Sequence, residues 1–256
     1  MAKFLIIDFK RIRRILLICI FAFVCMGACN AFFVNKILEV SNTNRLLPIY
    51  SVETDKKQVA LTFDCAWGAD DIPDIINTLT NNRVSATFFM VGDWINKYPD
   101  KVKLLFENDM ELGNHSDSHA HVNKMSYKKN VEDMKACNHK IKELTGYETK
   151  FYRGPYGEYN NVVIQAAESL NMKVIQWDVD TLDYTGKTPD EMCTRIKKKL
   201  RNGSIILMHN DTEYTAQGLE QIINCIMEEG YEIVPLSELI YFDNYEINHE
   251  GRQIAK

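Results

Sequence analysis

The chain has 256 residues, 46% of them hydrophobic and 25% charged, with 12 Gly and 6 Pro, which excludes collagen, low-complexity sequence and wholesale disorder. Its net charge of -5 averages two unlike parts. Residues 1–34 carry Lys3, Lys10, Arg11, Arg13 and Arg14 against Asp8 alone, and residues 35–256 carry 25 Lys/Arg against 34 Asp/Glu. An acidic body argues against nucleic acid as a partner, because phosphate neutralisation needs clustered cations.

Residues 1–14 read as a basic cytoplasmic segment. Residues 15–34 form an uncharged apolar run whose 20 residues match the span of a bilayer core. The basic run at 10–14 stands directly before it and predicts an inside N-terminus with the body outside. A cleaved signal peptide is the competing reading. The run is long for one, so the expectation is a single-pass membrane anchor with an extracytoplasmic domain. Residues 35–54 read as a polar linker, 55–242 as the folded domain and 243–256 as a tail.

Within the domain, short runs rich in β-branched and aromatic residues alternate with longer stretches of helical period. Strands are predicted at 58–63, 86–91, 110–114, 150–153, 173–178, 204–208 and 231–234. Helices are predicted from Asp70-Asp71 to about Asn82, from a Ser126 cap to Thr145 with Gly146 as the stop, and over 160–171, 189–201 and 216–229. Seven strand-then-helix units imply parallel strands with crossover helices. A (β/α) barrel of seven or eight units is favoured over an open doubly wound sheet, since no Gly-x-Gly-x-x-Gly follows any strand.

The reactive side chains fall at predicted strand ends. Asp64 follows the first strand, His115 the third, Arg153 the fourth, Asp178, Asp180 and Asp183 the fifth, and His209 the sixth. In a parallel barrel these ends converge on one face, where active sites are built. His115 and His119 are four residues apart, which in a helical turn puts two imidazoles on one face, a spacing that suits one metal ion. His121 lies two residues further on. The His-Glu-x-x-His proteases are a poor match, because Ser116 stands where their base would be. Arg153 can keep a neighbouring carboxylate ionised, and His209 beside Asp183 can serve as a proton donor. The body's four cysteines, Cys65, Cys137, Cys193 and Cys225, include no Cys-x-x-Cys and read as buried thiols.

Thr62-Phe-Asp64, His115-x-x-x-His119, Arg153-x-Pro-Tyr156, Asp180-x-x-Asp183-Tyr184 and Leu207-x-His209 together resemble the five ordered motifs of the polysaccharide deacetylase family. The form Thr-Phe-Asp-x-x-Trp-Gly is most similar to its membrane-anchored, sporulation-type members in Firmicutes. The resemblance covers residues 55–241 and implies a distorted (β/α)7-8 barrel that removes acetyl groups from N-acetylglucosamine-type units of cell-wall glycan. It implies Asp64 as general base held by Arg153, and His115 and His119 as ligands of a divalent metal, zinc first and cobalt or manganese as alternatives. It further implies the Tyr156 N–H as an oxyanion donor, His209 as the acid tuned by Asp183, and Tyr184 and Trp177 as apolar walls for a sugar ring.

Two positions depart from the family pattern. Cys65 stands where the family has a second Asp, the third metal ligand, and Tyr184 where it usually has Trp. Either Asp71 or Asp70 swings in as third ligand, with Asp71 favoured, or the Cys65 thiolate binds and selects zinc, or the metal is held weakly. The second functional expectation is a membrane-tethered glycan-binding protein with a degenerate site.

Overall fold

The computed structural model describes residues 45–256. The apolar run at 15–34, expected to anchor the protein, lies outside the described residues, and no helix among those described is long and apolar enough to cross a membrane.

The centre of the fold is a curled parallel sheet. Its strands are β2 (Gln58–Cys65), β3 (Thr87–Met90), β4 (Glu111–Asn114), β5 (Phe151–Tyr152), β6 (Lys173–Val174), β7 (Val179–Asp180) and β8 (Ile205–His209), ordered β6-β5-β4-β3-β2-β8-β7, with β9 (Glu232–Ile233) beside β2. Every pairing in it is parallel. Around it lie α1 (Ile72–Asn81), α2 (Gly92–Lys97), α3 (Pro99–Glu107), α4 (Tyr127–Thr145), α5 (Asn161–Glu168), α6 (Pro189–Lys199), α7 (Thr215–Glu228) and the short α8 (Leu236–Leu239).

Side chains along β2 alternate between the two faces, as the strand period requires. Val59, Leu61, Phe63 and Cys65 pack outward against the helices, in one cluster with Ile72, Ile75, Ile196 and Ile222. Ala60 packs on the inner face in a second cluster with Phe89, Phe151, Ile205 and Leu236. The inner face is therefore apolar at its lower end, and the polar residues collect at the C-terminal strand ends above it.

The sequence predicts a distorted barrel of seven or eight units, complete or incomplete, and the structure shows the incomplete form, a curled half-barrel whose strand ladder ends on β6 and β7. Beyond β6 the backbone is bonded by a side chain and by the segment that precedes the sheet. Arg153 Nε and Nη2 donate to the carbonyls of Ile175 (3.4 Å) and Gln176 (3.1 Å). Ile49 takes the remaining edge, with its N–H donating to Val174 O and its carbonyl accepting from Gln176 N. The outward-facing Val174 carbonyl and Gln176 N–H are thereby paired with Ile49.

The stretches read as linker and tail both contribute strands. In the first, β1 (Ser51–Val52) pairs with β11 (Arg252–Ala255) of the second. The expected tail is an antiparallel hairpin of β10 (Tyr245–Ile247) and β11, held by buried Gln253, whose amide both accepts from Tyr241 N and donates to Tyr241 O. Ser126 caps α4 by accepting from Lys129 N, and Gly146 ends it in the left-handed region at φ 73°. Helices α2 and α3, unassigned from sequence, are divided at Tyr98-Pro99.

Candidate active site

Strand register brings the distant motifs together. Asp64 pairs with His209 across β2 and β8, and Asn114 pairs with Tyr152 across β4 and β5. His115 and Arg153, each the next residue on its strand, therefore leave the sheet side by side. Together with Ala66, Trp67, His119, Tyr156, Trp177, Asp180, Tyr184 and Leu207, the residues Asp64, His115 and His209 line one cleft of 370 Å³; Arg153 lies beneath it, fully buried.

Arg153 donates from Nη1 to Asp64 Oδ1 at 2.7 Å, and its guanidinium lies 4.1 Å from the centre of the Phe89 ring. Burial, the largest single influence, pushes the Asp64 carboxyl up, but the charges of Arg153, His115 and His209 and the hydrogen bond from Arg153 together outweigh it and hold Asp64 below the ordinary carboxylate range. The other Asp64 oxygen lies 3.5 Å from His115 Nε2. Gly154, next in the chain, lets the turn tighten: a Cβ there would meet the Glu158 carbonyl oxygen at 2.2 Å.

His115 Nδ1 lies 2.8 Å from the carbonyl of Arg153. A carbonyl only accepts, so Nδ1 carries the proton and Nε2 presents its lone pair to the cleft. Burial lowers the pKa of His115, and burial followed by the His115 charge lowers that of His119 to about 4, so both rings are neutral at pH 7. Their centres are 5.1 Å apart. The expected helical turn does not produce this meeting. The segment is a loop with left-handed residues at Ser116 (φ 71°) and His119 (φ 54°), set by Asn114 Oδ1 accepting from Ser116 N. His121 stays at the rim, bonded to Glu158 and stacked on Tyr156.

On the opposite wall His209 Nδ1 lies 2.8 Å from Asp183 Oδ1. Burial would lower the His209 pKa, but the hydrogen bond it donates to Asp183 and the charge of Asp64 raise it above the ordinary imidazole value. Asp183 is itself fixed: Oδ2 accepts from His209 N and from Thr215 Oγ1, and Oδ1 from Tyr184 N. Asp178 faces away from the cleft and binds Arg201, Ser204 and the Ile205 N–H. Sequence reasoning missed Thr215, whose role exists only because α7 starts beside Asp183, and it gave no role to Trp67. Trp67 is exposed and lies 5.9 Å from the His209 ring.

The third metal position is where the structure departs from expectation. Asp71, the favoured ligand, does not line the cleft. Its Oδ2 accepts from Asp211 N at 2.7 Å and its Oδ1 from Asn210 Nδ2 at 3.3 Å, so it ties the start of α1 to the loop after β8. Cys65 points into the outer core, and burial raises its thiol well above the ordinary range. Among the described residues no three His, Cys, Asp or Glu side chains converge to hold a metal. The fit to a divalent cation is therefore to two imidazole nitrogens. It is supported by the His115 lone pair facing an Asp64 oxygen at 3.5 Å, an arrangement that a cation between two acceptors satisfies.

The sequence profile described as polysaccharide deacetylase matches residues 51–175. A Bacillus cereus peptidoglycan-N-acetylglucosamine deacetylase is 31% identical over 194 residues, which is 74% of this chain and 70% of the relative. The chain belongs to the polysaccharide deacetylase family. As a family member it is also similar to the Bacillus subtilis protein YlxY, at 33% identity over 75% of this chain, and it spans 60% of YlxY's length. Among solved structures, BA3943 from Bacillus anthracis, described as a CE4 family pseudoenzyme, matches with a TM-score of 0.73 at 32% identity. That match covers 77% of this chain and 69% of BA3943. A mutant of BA3943, described as having restored enzymatic activity, matches with the same TM-score. The deacetylase family thus includes, near this chain, both named enzymes and a named pseudoenzyme.

Proposed function

We propose that this family member hydrolyses N-acetyl groups on N-acetylglucosamine-type residues of cell-wall glycan, with peptidoglycan as the substrate class. One observation carries the proposal: two oppositely tuned acid–base pairs, Asp64–Arg153 and His209–Asp183, face the same cleft beside two neutral imidazoles. Asp64, ionised at neutral pH, takes the proton of an attacking water. His209, protonated through Asp183, gives a proton from Nε2 to the departing amine. A divalent cation bound at His115 and His119, zinc first, would polarise the acetyl carbonyl and acidify the water. The Tyr156 N–H supplies an oxyanion donor, and Trp67, Trp177 and Tyr184 form the apolar walls. The membrane tether and outward orientation belong to the same proposal, resting on the apolar run at 15–34 and the cations before it.

The full-length protein, supplied with Zn²⁺ or Co²⁺, releases acetate from N-acetylglucosamine oligomers or peptidoglycan, and Asp64→Asn abolishes the release. Wild-type turnover by Asp64→Asn overturns the mechanism.

A second reading, a glycan-binding protein with a degenerate site, is favoured by the burial of Cys65 in the core at the position of the family's third ligand. Calorimetry that finds oligosaccharide binding without metal uptake or acetate release selects it.

A further inference from the structure

The two cysteines on α6 and α7 stand apart from the site and from the other thiols. Cys225 Sγ donates to Cys193 O at 3.8 Å and Cys193 Sγ to Gln221 O at 3.7 Å, so each thiol lies against the backbone of the other's helix. Both line one surface groove with Lys197 and Gln221. The helices approach closely there, because Gly218 has no Cβ: one added to it would meet Pro189 Cγ at 2.5 Å. One turn past Cys193, Lys197 pairs with Glu228 at 3.6 Å, so the helices run in register along the contact. By contrast Cys65 and Cys137 are completely buried, and Cys137 donates to the Met90 carbonyl.

We propose that Cys193 and Cys225 are an oxidisable dithiol that closes to an intramolecular disulfide by exchange with a small-molecule or protein disulfide. The thiolate of one cysteine attacks the donor disulfide, forming a mixed disulfide and releasing one donor thiol. The second cysteine then displaces the other donor thiol. Two protein S–H bonds and one donor S–S bond become one protein S–S bond and two donor S–H bonds. Burial raises both thiols, Cys193 to about 12, and Lys197 works against that at each, so the exchange accelerates as pH rises.

The cross-link ties the two helices whose N-terminal ends bracket the acid pair. Thr215, the first residue of α7, holds Asp183 Oδ2, and α6 begins six residues after Asp183. Closing a loop between positions 32 apart removes freedom from the unfolded chain and raises thermal stability.

The test is to incubate the folded full-length protein with oxidised glutathione, block free thiols and map the peptides by mass spectrometry. The expected product is a peptide pair joined through Cys193 and Cys225, with a melting temperature several degrees higher that dithiothreitol reverses. Cys193→Ser removes both the joined pair and the shift. Recovery of Cys193 and Cys225 as free thiols, or as separate glutathione adducts, overturns the proposal and leaves the deacetylase reading untouched.

Discussion

Asp64 and Cys65 are neighbours at the end of β2 and face opposite sides of the sheet, Asp64 into the cleft and Cys65 into the core beneath the helices. The strand period makes this unavoidable while the ladder runs through both residues, and β2 pairs with β3 as far as Cys65 opposite Met90. A side chain at 65 reaches the cleft only by turning over the strand end, and a thiol one atom long does not. The thiol at 65 therefore sits on the core side of the sheet, away from the two histidines.

The first prediction separates Cys65 and Asp71 from the two histidines as metal ligands. Cys65→Ala leaves metal uptake unchanged and costs about 1 kcal/mol of stability, the order expected for a small buried deletion. Asp71→Ala also leaves uptake unchanged, and costs about 1–2 kcal/mol because Asp211 N and Asn210 lose their acceptor. His115→Ala and His119→Ala each abolish uptake. Metal analysis beside thermal denaturation reads all four, and loss of metal on Asp71→Ala would restore it as a ligand.

The second prediction concerns Arg153, which is fully buried and bonded to Asp64, Ile175 O and Gln176 O at once. Arg153→Met leaves the Asp64 carboxylate buried without its cation and frees two carbonyls. The expected cost is about 3–5 kcal/mol, measured by denaturant unfolding. Arg153→Lys keeps the charge but not the fork, and recovers part of that loss. A cost below about 1 kcal/mol for Arg153→Met would show the pair to be energetically idle.

Much of this site was legible because strand ends are legible. Asp64, His115, Arg153 and His209 follow apolar runs, and parallel register does the rest. What the sequence could not carry is where a loop turns. The four-residue spacing of His115 and His119 suggested a helix, and the rings meet instead through left-handed residues at Ser116 and His119. Asp71 was placed by proximity along the chain, whereas its partners Asn210 and Asp211 lie about 140 positions away. Whether the barrel closes is not legible for a related reason: Ile49 and the side chain of Arg153 take up backbone groups beyond β6, and no periodicity records that.

The third prediction follows from the raised pKa of His209. The protonated imidazole is the form that donates, so acetate release holds through the ordinary imidazole value of 6.5 and falls only above it, as pH passes the raised value. Stability contributed by the His209–Asp183 pair has the same sense, present in full below 6.5 and lost as pH rises through the folded value. Asp183→Asn removes the charge that raises His209 and moves the alkaline limb to lower pH. A limb that stays in place on Asp183→Asn would assign it to another group.

The fourth prediction concerns recognition rather than chemistry. Trp67, Tyr156 and Tyr184 are exposed at the cleft, and Trp67 and Tyr184 flank the His209 ring at 5.9 and 5.1 Å. Exposed rings contribute little to folding, so Trp67→Ala changes stability by less than about 0.5 kcal/mol. Rings that pack against a sugar face contribute on the order of 1 kcal/mol each, so the same substitution weakens oligosaccharide binding roughly five- to tenfold. Calorimetry with N-acetylglucosamine oligomers measures the second effect and thermal denaturation the first. Equal loss in both would mean that Trp67 supports the fold, and no loss in either would place the sugar on the Tyr156 side of the cleft.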